Sequence, residues 1–516
     1  MKKLKKAAGV LLALALALVT LLGTGTAVRA EDTTSATGNS LTITNTGVTA
    51  HTFELYQIFT GTYGDGTLGN LQWGSGVTAE GQSAYGSAAT KAGSLIIQDD
   101  PAESKKQANK FADELIQKNY LATPLKESEE VASKASCTFD KLQAGYYLVI
   151  DKAGTQKDKK NGAYTSYILQ VVGQAEAETK IDVPTVVKKV KDKNDSTGEE
   201  SDWQDSADYD IGEDIPYQIT GSMPSNIDMY STYKYIFTDT MTKGLSYASG
   251  NAKIKIDGKD VTDSFRESIQ KNDGSTVVTW SCENLKGISG VTLNKDSEVV
   301  VTYSCKLNED AVIGAEGNPN TVNLTYSNNP NYGGGGDTGK TPDDRNIVFT
   351  YKVVVNKMDQ GKNALAGAEF TLSKVNKDNT ATVIKTFTFT SNDEGTSFTA
   401  SGLDDGTYVL KETTTPSGYN TIEDQYFTIS ADHDIKSDSP ALKSLSGNKV
   451  DGTATTISFT PNLSEGSLTT DVVNKKGSSL PSTGGIGTTI FYVIGSVLVI
   501  GAGVLLVTRR RMNKKS

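Results

Sequence analysis

Three polar side chains in the C-terminal half of the chain fall on strand faces that are otherwise apolar. They are Lys357 in YKVVVNKMD, Glu412 in YVLKET and Asn474 in LTTDVVNKK. Alternate residues of a strand point to the same side, so each of the three shares its face with Tyr, Val or Leu side chains. A lysine is almost never fully buried without a partner. The pattern therefore predicts that the three side chains meet inside one domain.

Amide formation is the chemistry that a buried lysine, an acid and an asparagine can carry out together. A neutral lysine amine can attack the asparagine carboxamide and release ammonia, which leaves an isopeptide bond. Water keeps the amine protonated, with a pKa of about 10.4. A dry core lowers that pKa by roughly 3–5 units and raises that of a carboxylic acid similarly. A protonated Glu412 can then polarise the amide carbonyl and shuttle the proton.

A buried Lys–Glu ion pair, with the asparagine hydrogen-bonded beside it, is the alternative interpretation. Such a pair often adds little stability over apolar residues, because the loss of solvation offsets the attraction between the charges. Strand alternation alone does not decide between the ion pair and the covalent bond.

The elements that must position these residues are predicted to be short strands. The 516 residues are enough for several domains rather than one core, and fifty glycines, 22 tyrosines and many Val/Thr runs favour strands joined by turns. One segment, DPAESKKQANKFADELIQKN, predicts a helix, since Asp100 can cap it and Pro101 suits its first position. We therefore expect a mostly β protein of tandem Ig-like sandwich domains, with one short helix in the N-terminal domain.

Both ends of the chain carry targeting segments. Residues 1–30 combine a basic start, an apolar run and small residues at a cleavage point, which predicts a secretory signal peptide. Near the C-terminus, LPSTG precedes an apolar run at 486–507 and the basic tail RRRMNKKS. That run is long enough to span a bilayer, and the basic tail marks its cytoplasmic side. The motif consists of Leu480, Pro481, Ser482, Thr483 and Gly484.

Three domains are predicted between these ends. We place them at 31–180, 181–345 and 346–477, with a sorting segment at 478–516. The glycine-rich NYGGGGDTGKTPDDR closes the second domain as a linker or long loop. The acidic stretch that begins at Asp192 is expected to be a solvated loop, because Thr197 stands where a calcium-binding loop requires glycine.

The charge of the mature chain excludes some partners. The whole chain has 51 basic and 61 acidic residues, a net charge of −10, and residues 1–30 and 484–516 each hold five basic and no acidic residues. The mature span therefore carries 41 minus 61, or −20. So acidic a surface argues against nucleic acid or anionic lipid as a partner.

Cysteine and histidine are too sparse to predict a metal site or a nucleophile pair. Three cysteines, Cys137, Cys282 and Cys305, make no disulfide framework, although the last two lie in strand-like runs and could pair. The two histidines, His51 and His433, are far apart in the sequence. We therefore expect no metal ion and no cofactor.

The motifs VNKMD, AGAEFTL, YVLKETTTPSGY, VVNKK and LPSTGG, in that order, resemble a Cna-B-type domain at the C-terminus of sortase-assembled pilins of Gram-positive bacteria. YVLKETTTPSGY is similar to their E-box, with Thr415 where alanine is usual before the proline. PTVVKKV, YIFTDTMTKGLSY and NLTYSNNP resemble the middle domain of backbone pilins, and residues 31–180 resemble the pilin N-domain. In these families a Lys–Asn bond forms autocatalytically. The resemblance thus implies a Lys357–Asn474 bond with Glu412 as the catalytic acid.

The resemblance implies a second crosslink in the middle domain, with an aspartate in place of the glutamate. Asp239 and Asn328 each share a strand face with apolar residues, so both are expected to point inward. Alternation does not choose between Lys188 and Lys189 as the lysine, and the register of the family strand favours Lys189. The first strand of the N-terminal domain, SLTITNT, contains no lysine, so no bond is expected there.

The C-terminal segment resembles a cell-wall sorting signal. The resemblance implies that a sortase cleaves after Thr483 and passes its carbonyl to an amine, either of a neighbouring subunit or of peptidoglycan. Lys180 in AEAETKIDVPT matches the polymerising lysine of backbone pilins, although the usual tyrosine–proline context is absent. We expect a structural protein, the major subunit of a head-to-tail pilus, and not an enzyme. The alternative is a wall-anchored adhesin or minor pilin that binds a host or environmental ligand and never polymerises.

Overall fold

The computed structural model describes residues 38–64, 67–97, 100–179 and 183–477, together with residues 499, 500 and 502. The predicted signal peptide, the LPSTG motif and Lys180 lie outside the described residues. Within the ranges that are described, no helix is long and apolar enough to cross a membrane. Strands predominate and form pairs of packed sheets, as predicted.

The described part of the N-terminal domain has eight strands and three helices. The strands are β1 (Asn39–Thr44), β2 (Phe53–Gly64), β3 (Thr67–Trp73), β4 (Lys126–Glu127), β5 (Ser136–Leu142), β6 (Gly145–Asp151), β7 (Ser166–Val171) and β8 (Gln174–Glu178). The helices are α1 (Ala79–Tyr85), α2 (Ala88–Ser94) and α3 (Pro101–Gln117). One sheet has the order β5-β1-β8, and the other the order β3-β2-β6-β7 with β4 beside β2.

The predicted helix is α3, and its N-terminus is capped as expected. The Asp100 side chain accepts a hydrogen bond of 2.9 Å from the backbone N–H of Glu103, which satisfies one of the free donors of the first turn. Two further helices, α1 and α2, were not predicted. Each has seven residues rich in Gly, Ala and Ser, too short a run to show an apolar period of 3.6.

The middle domain is a sandwich of two larger sheets. Its strands are β9 (Val186–Val190), β10 (Lys193–Asn194), β11 (Glu199–Glu200), β12 (Ser206–Asp208), β13 (Asp214–Ser222), β14 (Tyr235–Thr242), β15 (Leu245–Tyr247), β16 (Lys253–Ile256), β17 (Lys259–Asp260), β18 (Arg266–Asn272), β19 (Ser275–Cys282), β20 (Glu298–Leu307), β21 (Asn318–Ser327), β22 (Thr338–Lys340) and β23 (Asp344–Phe349). Short 3-10 turns lie at Ile227–Met229, Thr262–Ser264, Leu285–Gly287 and Pro330–Tyr332. The sheets have the orders β12-β23-β21-β14-β19-β18 and β17-β16-β20-β13-β9.

One expectation for this domain needs correction, and the open question of a disulfide is answered. The segment predicted as a linker contains β22, which pairs with β21 and accepts a backbone hydrogen bond of 2.7 Å from Asp158 of the N-terminal domain at Thr338. It is therefore part of the domain contact. Cys282 on β19 and Cys305 on β20 belong to different sheets, and both are free.

The C-terminal domain is a second β-sandwich. Its strands are β24 (Tyr351–Asp359), β25 (Glu369–Val375), β26 (Val383–Phe387), β27 (Thr390–Ser391), β28 (Ser397–Leu403), β29 (Gly406–Thr414), β30 (Gln425–His433), β31 (Leu442–Lys449), β32 (Phe459–Asn462) and β33 (Ser467–Asn474). They form sheets of order β27-β28-β24-β33-β32 and β26-β25-β29-β30-β31. The first strand, β24, and the last, β33, are parallel neighbours, with Lys357 opposite Val472 and Asp359 opposite Asn474.

The connection between the last two domains is a continuous extended chain. Strand β23 crosses the boundary that was placed at 345, and only Thr350 separates it from β24. Val348 belongs to the core of the middle domain, whereas Ile347 and Phe349 pack in the core of the C-terminal domain. The run RNIVFTYKVVV contains no glycine or proline, so the sequence gives no turn signal here.

Candidate functional site

The lysine of the C-terminal domain lies in the core, on the face that strand alternation predicts. Tyr351, Val353, Val355 and Lys357 are all buried, and the residues between them are partly exposed. Lys357 is 1% exposed. Its Nζ donates to the backbone carbonyl oxygens of Met358 at 3.1 Å and Val472 at 3.3 Å.

Glu412 and Asn474 meet beside this lysine from opposite sheets. The Asn474 side chain, fully buried at the end of β33, donates from Nδ2 to Glu412 Oε2 at 3.0 Å. The same carboxylate oxygen accepts from the Ile422 N–H at 3.1 Å and from Thr415 Oγ1 at 3.2 Å. Thr415, the unusual residue of the E-box-like segment, therefore helps to orient Glu412. The structure brings the three predicted side chains together.

The surroundings favour an uncharged amine on Lys357. Burial lowers the pKa of Lys357, and the nearby charges of Glu412 and Asp359 oppose this shift only in part. Two oxygens of the site, Glu412 Oε1 and Asn474 Oδ1, are buried without a hydrogen-bond partner. Buried polar atoms normally have a partner. These two oxygens are therefore available to accept a hydrogen bond from a neighbouring group.

The middle domain has a second buried lysine cluster, built around Lys188. Lys188 and Asp239 are both 0% exposed and form an ion pair. Lys188 Nζ also donates to the Tyr303 hydroxyl at 2.5 Å, and that hydroxyl donates to Asp239 Oδ2 at 2.5 Å. Asn320 Nδ2 donates to the same Tyr303 oxygen at 3.1 Å. Lysine, acid and asparagine thus share one hydrogen-bond network.

The Lys188 amine is enclosed by aromatic rings. It lies 5.0 Å from the ring centroid of Tyr217 and 5.1 Å from that of Tyr303. Burial lowers the pKa of Lys188, while the charge and hydrogen bond of Asp239 act in the opposite direction. As at Lys357, the net direction favours the neutral amine.

The structure does not bring the predicted Lys189 and Asn328 to Asp239. Lys189 points away from the core: its side chain is 31% exposed and pairs with Asp205 at 2.5 Å. Asn328 lies beyond the far end of β21 and donates from Nδ2 to the backbone of the N-terminal domain, to Gln156 O at 2.9 Å and Gly162 O at 3.2 Å. The residues that contact Asp239 are Lys188 and Tyr303, and Asn320 joins the same network through the Tyr303 hydroxyl.

The same sequence signal that favoured Asn328 also fits Asn320. It alternates with Val322 and Leu324 on the inward face of β21, as Asn328 was expected to do. What distinguishes the two asparagines is the antiparallel pairing of β14 and β21, which sets Asp239 opposite Val322 and Met241 opposite Asn320. One strand read by itself does not contain that register. Tyr303 was missed for the same reason, since it comes from β20 of the other sheet.

The described residues on either side of Lys180 adjoin a cavity between the N-terminal and middle domains. Thr46 Oγ1 donates to Thr179 O at 2.5 Å on one side, and Val183 and Pro184 line the cavity on the other. Its volume is about 690 Å³, and Lys189 is among its lining residues. Lys180 and the LPSTG residues themselves lie outside the described residues.

Family models match three consecutive parts of the chain. Residues 211–330 match the Gram-positive pilin backbone subunit 2, Cna-B-like domain, and residues 351–439 match a prealbumin-like fold domain of the SpaA type. Residues 472–514 match the LPXTG cell wall anchor motif. The chain thus carries a Gram-positive pilin backbone domain followed by a cell-wall anchor motif. It is a structural subunit of a polymerised pilus that is anchored to the cell wall at the bacterial surface.

The chain is also similar to individual surface proteins and pilins. The pilin is 26% identical over 388 residues to the trypsin-resistant surface T6 protein of Streptococcus pyogenes serotype M6, an alignment that covers 64% of this chain and 70% of that protein. Its fold is similar to that of the T6 backbone pilin of serotype M6 Streptococcus pyogenes, with a TM-score of 0.52, 18% identity, and 87% of this chain and 100% of that one covered. The major pilin SpaD of Corynebacterium diphtheriae aligns with a TM-score of 0.46 and 17% identity, over 87% and 100% of the two chains.

Acylation of the folded pilin should distinguish the two neighbouring lysines. We expect an amine-reactive ester to modify Lys189, whose side chain is 31% exposed, and to leave the fully buried Lys188 untouched. Peptide mapping after a short reaction measures both in one sample, so that Lys189 is the internal control. Modification of Lys188 at a comparable rate would contradict its burial.

Proposed function

We propose that this pilin is crosslinked internally by two isopeptide bonds, Lys357–Asn474 and Lys188–Asn320, and that it polymerises head to tail through Lys180. The observation that carries the first part is that two fully buried lysines each lie in a cluster with an acid and an asparagine, and that burial lowers the pKa of both. An amine that is neutral and held beside a carboxamide is poised as a nucleophile.

In the C-terminal domain the acid serves the leaving group. The neutral Lys357 Nζ attacks Cγ of Asn474; the Nζ–Cγ bond forms, the Cγ–Nδ2 bond breaks, and ammonia leaves. One proton must move from Nζ to Nδ2. Glu412 Oε2 already accepts a hydrogen bond from Nδ2 at 3.0 Å, which places the carboxyl group where it can hand that proton to the departing nitrogen.

In the middle domain the acid serves the nucleophile. Asp239 is hydrogen-bonded directly to Lys188 Nζ and is placed to take its proton. The Tyr303 hydroxyl contacts Asp239 on one side and Asn320 Nδ2 on the other, which provides a route for that proton to the leaving ammonia. Asn346 is also buried nearby, but its Nδ2 is held by the backbone oxygens of Lys188 and Asp205, at 3.1 and 3.2 Å. Asn320 is therefore the better acceptor.

The crosslinks would carry load along the pilus. A Lys357–Asn474 bond joins the first and last strands of the C-terminal domain, so tension passes from β24 to β33 through a covalent link. On the loop-entropy model, closing a loop of about 100 residues stabilises a domain by roughly 4–5 kcal/mol. A Lys188–Asn320 bond joins β9 to β21 and leaves β22 and β23 outside the closed loop.

Polymerisation requires an amine that a sortase can reach. A sortase would cleave LPSTG between Thr483 and Gly484 and join Thr483 to Lys180 of the next subunit, or finally to peptidoglycan. The cavity beside this segment supports the assignment, because it offers a recess for an incoming chain end next to Val183 and Pro184. Such a head-to-tail contact does not close and grows as a fibre.

The intact mass of residues 31–477 should fall short of the sequence mass by two molecules of ammonia. Each proposed bond expels one ammonia, and the N-terminal domain is expected to contribute none. Tandem mass spectrometry of the linked peptides should identify Lys357–Asn474 and Lys188–Asn320. A full, unreduced mass would refute the proposal, and a link to Asn346 would reassign the acceptor of the middle domain.

Replacing either acid should block one bond and leave the other intact. In Glu412→Ala and Asp239→Ala, we expect bond formation to slow by about 10²-fold or more, as for the loss of a positioned acid–base group. The readout is the return of one ammonia mass in freshly purified protein. Asp359→Asn is the matched control, since Asp359 lies near Lys357 but outside the hydrogen bonds of the cluster, and it should keep both bonds. Normal bond formation in an alanine variant would show that its acid is dispensable.

Lys180→Arg should reduce the pilus to monomers while both internal bonds remain. The variant keeps the charge but lacks the nucleophilic amine. The measurement is an antibody-probed gel of cell-wall extract, in which the wild type gives a ladder and the variant a single band. Lys189→Arg is the control, because Lys189 lines the same cavity; it should keep the ladder. If the wild type itself gives one band, the non-polymerising adhesin is the correct interpretation.

A further inference from the structure

The joint between the middle and C-terminal domains contains a histidine and two carboxylates that the proposed crosslinks do not use. Asp192 and Asp208 come from the middle domain, and His433 ends strand β30 of the C-terminal domain. One potential ligand atom from each of the three lies within 4.8 Å of the others. The sequence alone predicts no metal site, because the two histidines match no cysteine–histidine pattern and the stretch from Asp192 matches no calcium loop.

Hydrogen bonds fix which nitrogen of His433 is available. The Ser206 hydroxyl donates to the backbone oxygen of Asp434 at 2.6 Å, which uses its single proton. Its oxygen must then accept from His433 Nδ1, 2.8 Å away. Nδ1 therefore carries a proton, and in neutral imidazole the lone pair is on Nε2. A hydrogen bond that sets the tautomer in this way is typical of histidine ligands.

The free lone pair of His433 faces another acceptor. Nε2 is 3.6 Å from Asp192 Oδ2, and two acceptors at that distance repel unless a cation lies between them. The separation is long for a hydrogen bond. It agrees with two ligands of one tetrahedral ion, which are about 3.3–3.4 Å apart when each metal–ligand bond is about 2.0–2.1 Å.

Asp208 supplies an independent sign that a cation binds here. It is 2% exposed, and its Oδ2 is buried without a hydrogen bond of normal geometry, although the Tyr351 hydroxyl lies close to this carboxylate. A buried carboxylate oxygen in that state is costly unless it is protonated, paired or bound to a metal. Lys374, whose charge acts on Asp208, is already bonded to Asp210 and Asp404.

We propose that His433, Asp192 and Asp208 bind one divalent transition-metal ion of the zinc type, with water completing the coordination. One imidazole and two carboxylates suit Zn²⁺ better than Ca²⁺ or Mg²⁺, which prefer sites made only of oxygen. The two carboxylates and the dication balance in charge. Since the ligands come from two domains, the ion fastens the C-terminal domain to the middle domain.

The proposed metal site lies at the joint that neither proposed crosslink protects from tension. Between the two proposed crosslinks, the chain from Asn320 to Lys357 includes β22 and β23 and is not closed by either bond. Direct contacts hold the domains together here, such as the 3.0 Å hydrogen bond from Asp205 N to Ile435 O. A metal ion bound to Asp192, Asp208 and His433 would reinforce this stretch.

Metal titration of the mature chain, residues 31–477, tests the proposal. After treatment with a chelator and dialysis, Zn²⁺ is titrated calorimetrically, and Co²⁺ is added in a parallel sample for its visible absorption. We expect one Zn²⁺ per chain, no competition from excess Ca²⁺ or Mg²⁺, and a Zn²⁺-dependent rise in the unfolding temperature. His433→Gln and Asp192→Asn should both lose this binding. Asp202→Asn, a carboxylate change in the same acidic stretch, should retain it.

Two variants keep the test decisive. Asp192 has a side chain that is 22% exposed, so its replacement is tolerated even if the more buried His433→Gln disturbs the joint; circular dichroism checks both folds. The proposal is overturned if the wild type binds no stoichiometric Zn²⁺, if binding survives in both variants, or if Ca²⁺ displaces Zn²⁺.

Discussion

The burial of a lysine amine inside a β-sandwich is the constraint on which the rest of this pilin depends. An ammonium group in a dry core is unfavourable, so burial shifts Lys188 and Lys357 toward the neutral form. The neutral form is the one that can attack a carboxamide. The apolar packing that stabilises the domain thus also favours the neutral lysine amine that the proposed reaction needs. The two domains differ in where the acid lies: Glu412 contacts the proposed leaving nitrogen of Asn474, whereas Asp239 contacts the proposed nucleophile, Lys188 Nζ.

Topology decides where each lysine finds its asparagine. In the C-terminal domain, β24 and β33 are parallel neighbours, so the first and last strands lie side by side and the proposed bond shields nearly the whole domain from tension. In the middle domain, the acceptor belongs to β21, and β23 continues almost directly into β24. The interval between the two crosslinks is therefore the joint between the domains. Neither proposed crosslink carries tension across this joint, so its polar contacts must hold the two domains together.

Much of this architecture was predictable from sequence, because it follows from the period-two pattern of single strands. The alternation of apolar residues predicted that Lys357 lies in the core and that it meets Glu412 and Asn474 there. It did not separate Lys188 from Lys189, because both alternate with valines in PTVVKKV, and the register chosen by resemblance was wrong by one residue. A shift of one residue turns a side chain to the other face. Asn320 and Tyr303 required pairing across strands and across sheets, information that no single segment contains.

A third buried lysine, Lys374, shows that burial alone does not decide whether a lysine amine is neutral. The charges of the neighbouring carboxylates matter as well. Lys374 is as deeply buried as the other two, and burial by itself would lower its pKa. It contacts two carboxylates, Asp404 and Asp210, and their combined charge outweighs burial and raises the pKa. Lys374 therefore remains an ammonium and serves as an interdomain ion pair. Lys188 and Lys357 each have one acid and one asparagine in their clusters, so the balance falls the other way. The ratio of carboxylates to buried amines is thus the criterion by which Lys374 is assigned to an ion pair and bond formation is proposed for the other two lysines.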